Sequence, residues 1–243
     1  MSAEPILPAA AEPPWGPGPS WLLDPGRATD AEITEDVERM VLHPSYPCLG
    51  ARSTFTRHRA RVHVLDELGT QASATALVSG LREFAASSNL DDGFASFVAV
   101  FRRPGLLSET EFERLLWQQL QQVHEADPEP WDPRVSDSPD DPHFSFSAAG
   151  TAYFVVGMHP GASRTARRAS LPTLVFNPHE QFERLRQSGG FERMQRLIRR
   201  RDTTLQGAPN PMVTDFGTAS EARQYAGRLV PPDWSPPPVG TDR

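Results

Sequence analysis

The chain has 243 residues, 38% of them hydrophobic and 23% charged, and a formal net charge of −7; that length can bury one large core, and the acidic balance offers no global attraction to nucleic acid or an anionic membrane. All 24 basic residues are arginine and none is lysine, which excludes Schiff-base lysine chemistry, a Walker-type phosphate loop and a kinase-type site. The lone cysteine, Cys48, excludes an internal disulfide and a cysteine-rich zinc site and fits a reducing compartment.

Residues 1–30, rich in proline, glycine and alanine, read as a disordered or loosely docked arm. The opening stretch has no basic segment and prolines break its apolar part, so it does not read as a secretory signal. No apolar run approaches the roughly 20 residues that span a bilayer, and a cytoplasmic location is expected. A capped helix is predicted over 30–42, with acids in its first turn and a proline just past its end. Helical spacing of Ala76, Leu77, Leu81 and Phe84 predicts a helix over 72–86. "SETE" opens another over 108–125 as a capping box, with Phe112, Leu115, Leu116 and Leu120 on its core face.

Strands are predicted at "FASFVAVF", "HFSFS", "TAYFVVGM" and "TLVF", and the "AAG" between the second and third suggests a hairpin. The proline-heavy stretch 127–142 reads as a long surface loop and candidate lid. Helices over 179–188 and 191–201 follow, and a proline-rich tail occupies 231–243. This order argues an α+β fold: a single domain over 31–230, with a mainly antiparallel sheet packed by helices, between a disordered arm and the tail.

His159 and His179 each follow an apolar strand and adjoin a proline. A zinc site would need more ligands nearby, and "HEQFE" lacks the HExxH form. Heme suits these surroundings, because it needs an axial imidazole, aromatic walls and cations for two propionates. Phe144, Phe146, Tyr153, Phe154 and Phe176 are candidate walls, and Arg164, Arg167 and Arg168 candidate clamps. His159 is the first choice of axial ligand, because its strand and Pro160 fix its backbone; His179 would orient the site from the other side or meet a propionate. Thiolate ligation by Cys48 ranks below an inert buried thiol. Arg193, Arg196, Arg199, Arg200 and Arg201 raise nucleic-acid binding as an alternative, but they spread around a helix whose stripe of Met194, Leu197 and Ile198 reads as buried. "DFG" invites a kinase reading, which fails without lysine and a phosphate-cradling loop.

The stretches "PSYPCLGARSTF", "FVVGMHPGASRTARR", "LPTLVFNPHEQFERLR", "IRRRDTTLQGAPNP" and "DFGTASEARQYAGR" together make the chain, from His43 to Trp234, resemble the YqcI/YcgG family. Its characterised members are heme-dependent N-hydroxylases of guanidino groups. The resemblance implies a heme b cofactor, dioxygen as co-substrate, an external electron donor such as a reductase or ferredoxin, and a small guanidine substrate. Most simply, L-arginine would become N-hydroxy-L-arginine, with the second oxygen atom leaving as water. "WSPPP" stands here where the family pattern continues into a "CPF"-like ending. A guanidinium stays protonated in water throughout the physiological pH range, so a carboxylate must recognise it and assist its deprotonation. Glu180, Glu183, Asp215 and Glu221 are the candidates. The competing readings are a heme-binding sensor or carrier without turnover and an interaction protein without heme.

Overall fold

A computed structural model describes residues 12–16, 18–208, 210–212 and 217–239. Five strands form one mixed sheet in the order β1-β2-β5-β4-β3, from β1 (Ala60–Glu67), β2 (Ser96–Arg103), β3 (Phe146–Ala148), β4 (Thr151–Met158) and β5 (Thr173–Pro178). Only β1 and β2 run parallel; the remaining pairings are antiparallel. Parallel neighbours need a crossover, and α3 (Gln71–Ser87) supplies it. The hairpin joining β3 to β4 turns at Ala149 and Gly150, both with positive φ, as a twisted two-residue connection requires. The Ala149 N–H donates to the buried Asp127 carboxylate, which helps hold a non-glycine residue in that conformation.

Strand alternation divides the side chains between two cores. Phe97, Ala99, Phe101, Tyr153, Val155, Leu174 and Phe176 face one side, where α3 and α4 (Glu109–Ala126) cover them. Val98, Val100, Val156, Met158 and Val175 face the other, under α1 (Asp30–Leu42) and α2 (Leu49–Thr56). Capping boxes start α1 at Thr29/Glu32 and α4 at Ser108/Glu111, so the two clearest sequence signals mark real helix starts. On the second side, α5 (His179–Gln187) and α6 (Phe191–Gln206) extend past the end of β5; the short α7 (Ala222–Tyr225) packs on β4 from the first side, with Ala222 and Tyr225 in the core that α4 covers.

The α+β architecture and mostly antiparallel sheet agree with the sequence reading; β1 and α2 are additions to it. β1 lacks a clear alternation because its residues are nearly all half-buried at the sheet edge. The proline-rich ends are more docked than their composition suggests. Trp15 is buried against the rings of His43 and Tyr46. In the tail, Trp234 lies beside Trp117, Arg223 donates to the carbonyls of Pro231 and Trp234, and Val239 is 1% exposed. The loop 127–142 is pinned: Asp132, 2% exposed, accepts from Arg134 and from the Ala152 N–H, while Trp131 packs on Phe144 and Phe146.

Candidate functional site

A cavity of about 310 Å³ opens on the face of the sheet opposite α3 and α4, at the lower end of the range of small-molecule sites. Its floor is Ser96, Val98, Phe154, Val156, Met158, Val175 and Asn177, the residues that alternation turns toward this side. One wall comes from α1 and α2 with Tyr46 and Cys48; the other comes from α5 and α6 with His179, Phe182, Met194 and Ile198. Arg164, Arg167, Arg186 and Arg199 bring positive charge to it, Asp202 negative charge, and Glu221 a further carboxyl group. No residue of the loop 127–142 lines it, so that loop is no lid for this cavity.

Strand parity separates the two histidines. His179 continues the phase of Val175 and Asn177 and lines the cavity. Its Nε2 lies 3.3 Å from Glu183 Oε1, and Glu183 also pairs with Arg186. Burial holds the His179 imidazole below its usual pKa, although Glu183 pulls the other way. His159 continues the phase of Val155 and Gly157, so it points to the opposite side, 1% exposed and stacked on Phe112 with ring centroids 4.3 Å apart. Burial lowers its pKa to about 4, against the raising effects of Glu109 and the Leu107 backbone. The same parity puts Phe154 on the cavity floor and Phe176 in the opposite core with Phe97 and Tyr153.

The arginines divide as well. Arg164 reaches the cavity and pairs with Asp202. Arg167 also lines it, but its guanidinium donates to the carbonyls of Gly157 at 2.9 Å, Gln224 at 3.3 Å and Tyr225 at 3.5 Å, tying β4 to α7. Arg168 is off the cavity and donates to the carbonyls of Ala162 and Ser163. On α6, Arg199 lines the cavity, whereas Arg193, Arg196 and Arg200 are exposed on the outer face.

Of the four candidate acids, Glu221 lines the cavity. Glu183 acts beside it through His179, and Glu180 is engaged outside it with Arg134 and Arg184. Asp215 lies outside the described residues. Glu221 sits just before α7, and its Oε1 accepts from Ser145 Oγ at 2.8 Å and from the Tyr225 hydroxyl at 2.6 Å. Burial pushes its carboxyl up to about 8, although those two hydrogen bonds and Arg186 pull it down. Sequence reasoning missed Tyr225 and Ser145; the spacing of four between Glu221 and Tyr225 in "EARQY" was the available signal for the first.

Cys48 is the N-cap of α2, and its Sγ accepts from the Ala51 N–H at 3.4 Å on the cavity wall. Burial pushes the thiol pKa up, while the Ala51 and Gly50 N–H groups and Arg167 act in the opposite sense. Among the described residues, no three His, Cys, Asp or Glu side chains gather to cage a metal ion. A macrocycle needs only one axial side chain. The donor set therefore fits heme: an imidazole whose ring meets a carboxylate, as in metal-ligating histidines, a second donor type in Cys48, apolar walls, and arginines for carboxylates.

Residues 37–238 match the YqcI/YcgG family. The chain belongs to that family. Among relatives of this YqcI/YcgG protein, "Uncharacterized protein YqcI" of Bacillus subtilis (strain 168) is 27% identical over 190 residues, covering 75% of this chain and 72% of that one. "Putative N(omega)-hydroxy-L-arginine synthase DcsA" of Streptomyces lavendulae is 25% identical over 158 residues, covering 61% of this chain and 59% of that one. No solved structure matches this family member. Among the described residues no helix is long and apolar enough to cross a membrane.

Proposed function

We propose that this protein is a heme-dependent monooxygenase that N-hydroxylates the guanidino group of a small amino acid, most simply converting L-arginine to N-hydroxy-L-arginine. The observation that carries the reading is the cavity: one wall holds the His179 imidazole among apolar side chains, and another holds the buried acid Glu221. The relative named as an arginine hydroxylase supports the choice of substrate.

In this reading His179 would hold the heme iron, its ring oriented by Glu183, which Arg186 pairs in turn. Val98, Val156, Phe182, Met194 and Ile198 would enclose the macrocycle and exclude water, while Arg164, Arg186 and Arg199 would offer cationic groups to carboxylates. Bound heme would supply oxygen activation, fed by an external electron donor; the chain supplies binding, orientation and proton handling. Glu221, which lines the cavity, would hold the guanidine and accept a proton from the nitrogen that is oxidised.

The test is to supply heme during expression, then incubate the protein with L-arginine, labelled dioxygen and a reductant. The expected product is heavier by one oxygen atom, with the label from the gas and not from water. A heme spectrum that no guanidine in a panel of arginine homologues perturbs, with no oxygen gained, would sink the hydroxylase reading in favour of a heme carrier or sensor. The carbon-monoxide spectrum of the reduced protein separates the ligands: a thiolate-type band would replace His179 by Cys48.

A further inference from the structure

α6 has two faces of different character. Met194, Gln195, Ile198, Arg199 and Asp202 line the cavity, while Arg193, Arg196, Leu197 and Arg200 turn to solvent. Spacings of three and four set the three outward arginines in one row, about 10 Å long at the helical rise. Among the described residues their guanidinium groups make no hydrogen bond or ion pair. Other surface arginines are engaged, as Arg184 is with Glu180 and Asp91, and Arg103 with Asp66 and Glu67. Leu197 stands within the row and is 42% exposed. The stripe of Met194, Leu197 and Ile198 read from the sequence is therefore split, with Leu197 on the outside, because the inner face of α6 follows Met194, Ile198 and Asp202. The outer face presents an apolar centre among free cations, on a chain whose net charge is −7.

We propose that this outer face of α6 is the docking surface for a small acidic electron-carrier protein. The electron-carrying role of the partner rests on the proposed function; its acidity rests on the geometry. Inserting one atom of dioxygen into an N–H bond while the other leaves as water consumes two electrons and two protons. Cys48 is the lone thiol, so the chain holds no dithiol to supply those electrons. They must come from outside, and a carrier seated on the row would be parted from the cavity by α6 alone, about one helix diameter of 10 Å. Charge decides the kind of partner. A compact acidic patch meets the three arginines at close range, where screening leaves distant acids little influence. An extended polyanion, such as duplex nucleic acid or an anionic membrane, meets the whole field of a chain with net charge −7 and is repelled. Such steering speeds encounter more than it prolongs the complex, which suits a carrier that must leave after delivering its electron.

The test uses the heme-supplied full chain, with an acidic plant-type ferredoxin and a flavodoxin as probes. Calorimetry reads binding, and stopped-flow absorbance under carbon monoxide reads heme reduction, with dithionite as the small-molecule control. At least one carrier should bind and reduce the heme, and both effects should fade as salt rises to about 0.5 M. Combining Arg193→Glu, Arg196→Glu and Arg200→Glu should slow reduction by the carrier at least about tenfold, the low end of electrostatic steering. Heme content, melting temperature and reduction by dithionite should stay as in the parent. If the triple reversal does not melt cooperatively, the triple change to Gln decides by the same measurements. The proposal is overturned if neither carrier binds, if the carrier reduces the variant as fast as the parent, or if reduction by dithionite slows equally. Binding of duplex DNA or phosphatidylserine vesicles through this row, tighter than that of either carrier, would assign the face to another partner and overturn it too. A protein that takes up no heme sinks the proposed function, while carrier binding that the reversals abolish keeps the surface. Oxygenated product made with a chemical reductant, with no response of carrier binding to the reversals, keeps the hydroxylase and sinks the docking site.

Discussion

His159 and His179 occupy the same kind of place in the sequence, an imidazole at the end of an apolar strand beside a proline, and the fold gives them opposite surroundings. His159 is held neutral in a dry core, with its pKa at about 4 against an ordinary 6.5. The unfolded chain therefore binds the extra proton first as pH falls. The neutral ring's contribution is complete above the ordinary value and is lost progressively between 6.5 and about 4. The loss across that window should reach up to about 3 kcal/mol. His159→Phe, which can still stack on Phe112, should flatten this acid limb and stay within about 1.5 kcal/mol of the parent at neutral pH. Urea melts from neutral pH down to about 5 would show it, and an unchanged acid limb would contradict it. On the proposed function, His179→Ala should lose heme and His159→Phe should retain it.

β4 carries one set of residues into the cavity and another into the opposite core, and Gly157 is where the second set leaves no room. A Cβ there would lie 2.7 Å from atoms of Phe112 and Leu116 on α4 and from the Tyr225 carbonyl on α7. Gly157→Ala should destabilise by about 1–3 kcal/mol, as overpacking does. On the proposed function it should also weaken L-arginine binding, because the displaced α7 follows directly on Glu221. A denaturant midpoint and a calorimetric titration on the same sample read both effects; stability lost with binding intact would mean that α7 holds its place independently. The loop 127–142 behaves as a structural element of its own. Burial works to raise the Asp132 pKa, but hydrogen bonds from Arg134 and the Ala152 N–H outweigh it and hold the carboxyl below its ordinary 3.8. Its stabilising effect is accordingly present at neutral pH and lost as pH falls below that ordinary value. Asp132→Ala should cost about 2–4 kcal/mol and open the loop to limited proteolysis.

The single body extends past the limits that composition suggests. Ending the chain after Val230 would remove Trp234 from Trp117 and Val239 from the core, and would leave Arg223 without two carbonyl acceptors. Such a truncation should cost about 2–5 kcal/mol, in the range of large core deletions. A lowered melting temperature would support this, and an unchanged one would return the tail to a disordered appendage.

Helix starts, the hairpin turn and the α+β class were legible in the chain, because caps, turn residues and hydrophobic periods act over a few neighbouring positions. Thr29 with Glu32, Ser108 with Glu111, and Ala149 with Gly150 are local bargains between a side chain or a dihedral and the adjacent backbone. Glu221 and His179 could be marked as candidates from residue type and motif, but not their standing on one cavity. That depended on which face each strand turned toward which layer, on α7 folding against β4, and on Ser145 arriving from far along the chain to meet the carboxylate oxygen that Tyr225 also reaches. Burial decided the chemistry of these groups: the same glutamate on a helix surface would be an ordinary solvated acid, and desolvation by the assembled core pushes its carboxyl pKa up to about 8.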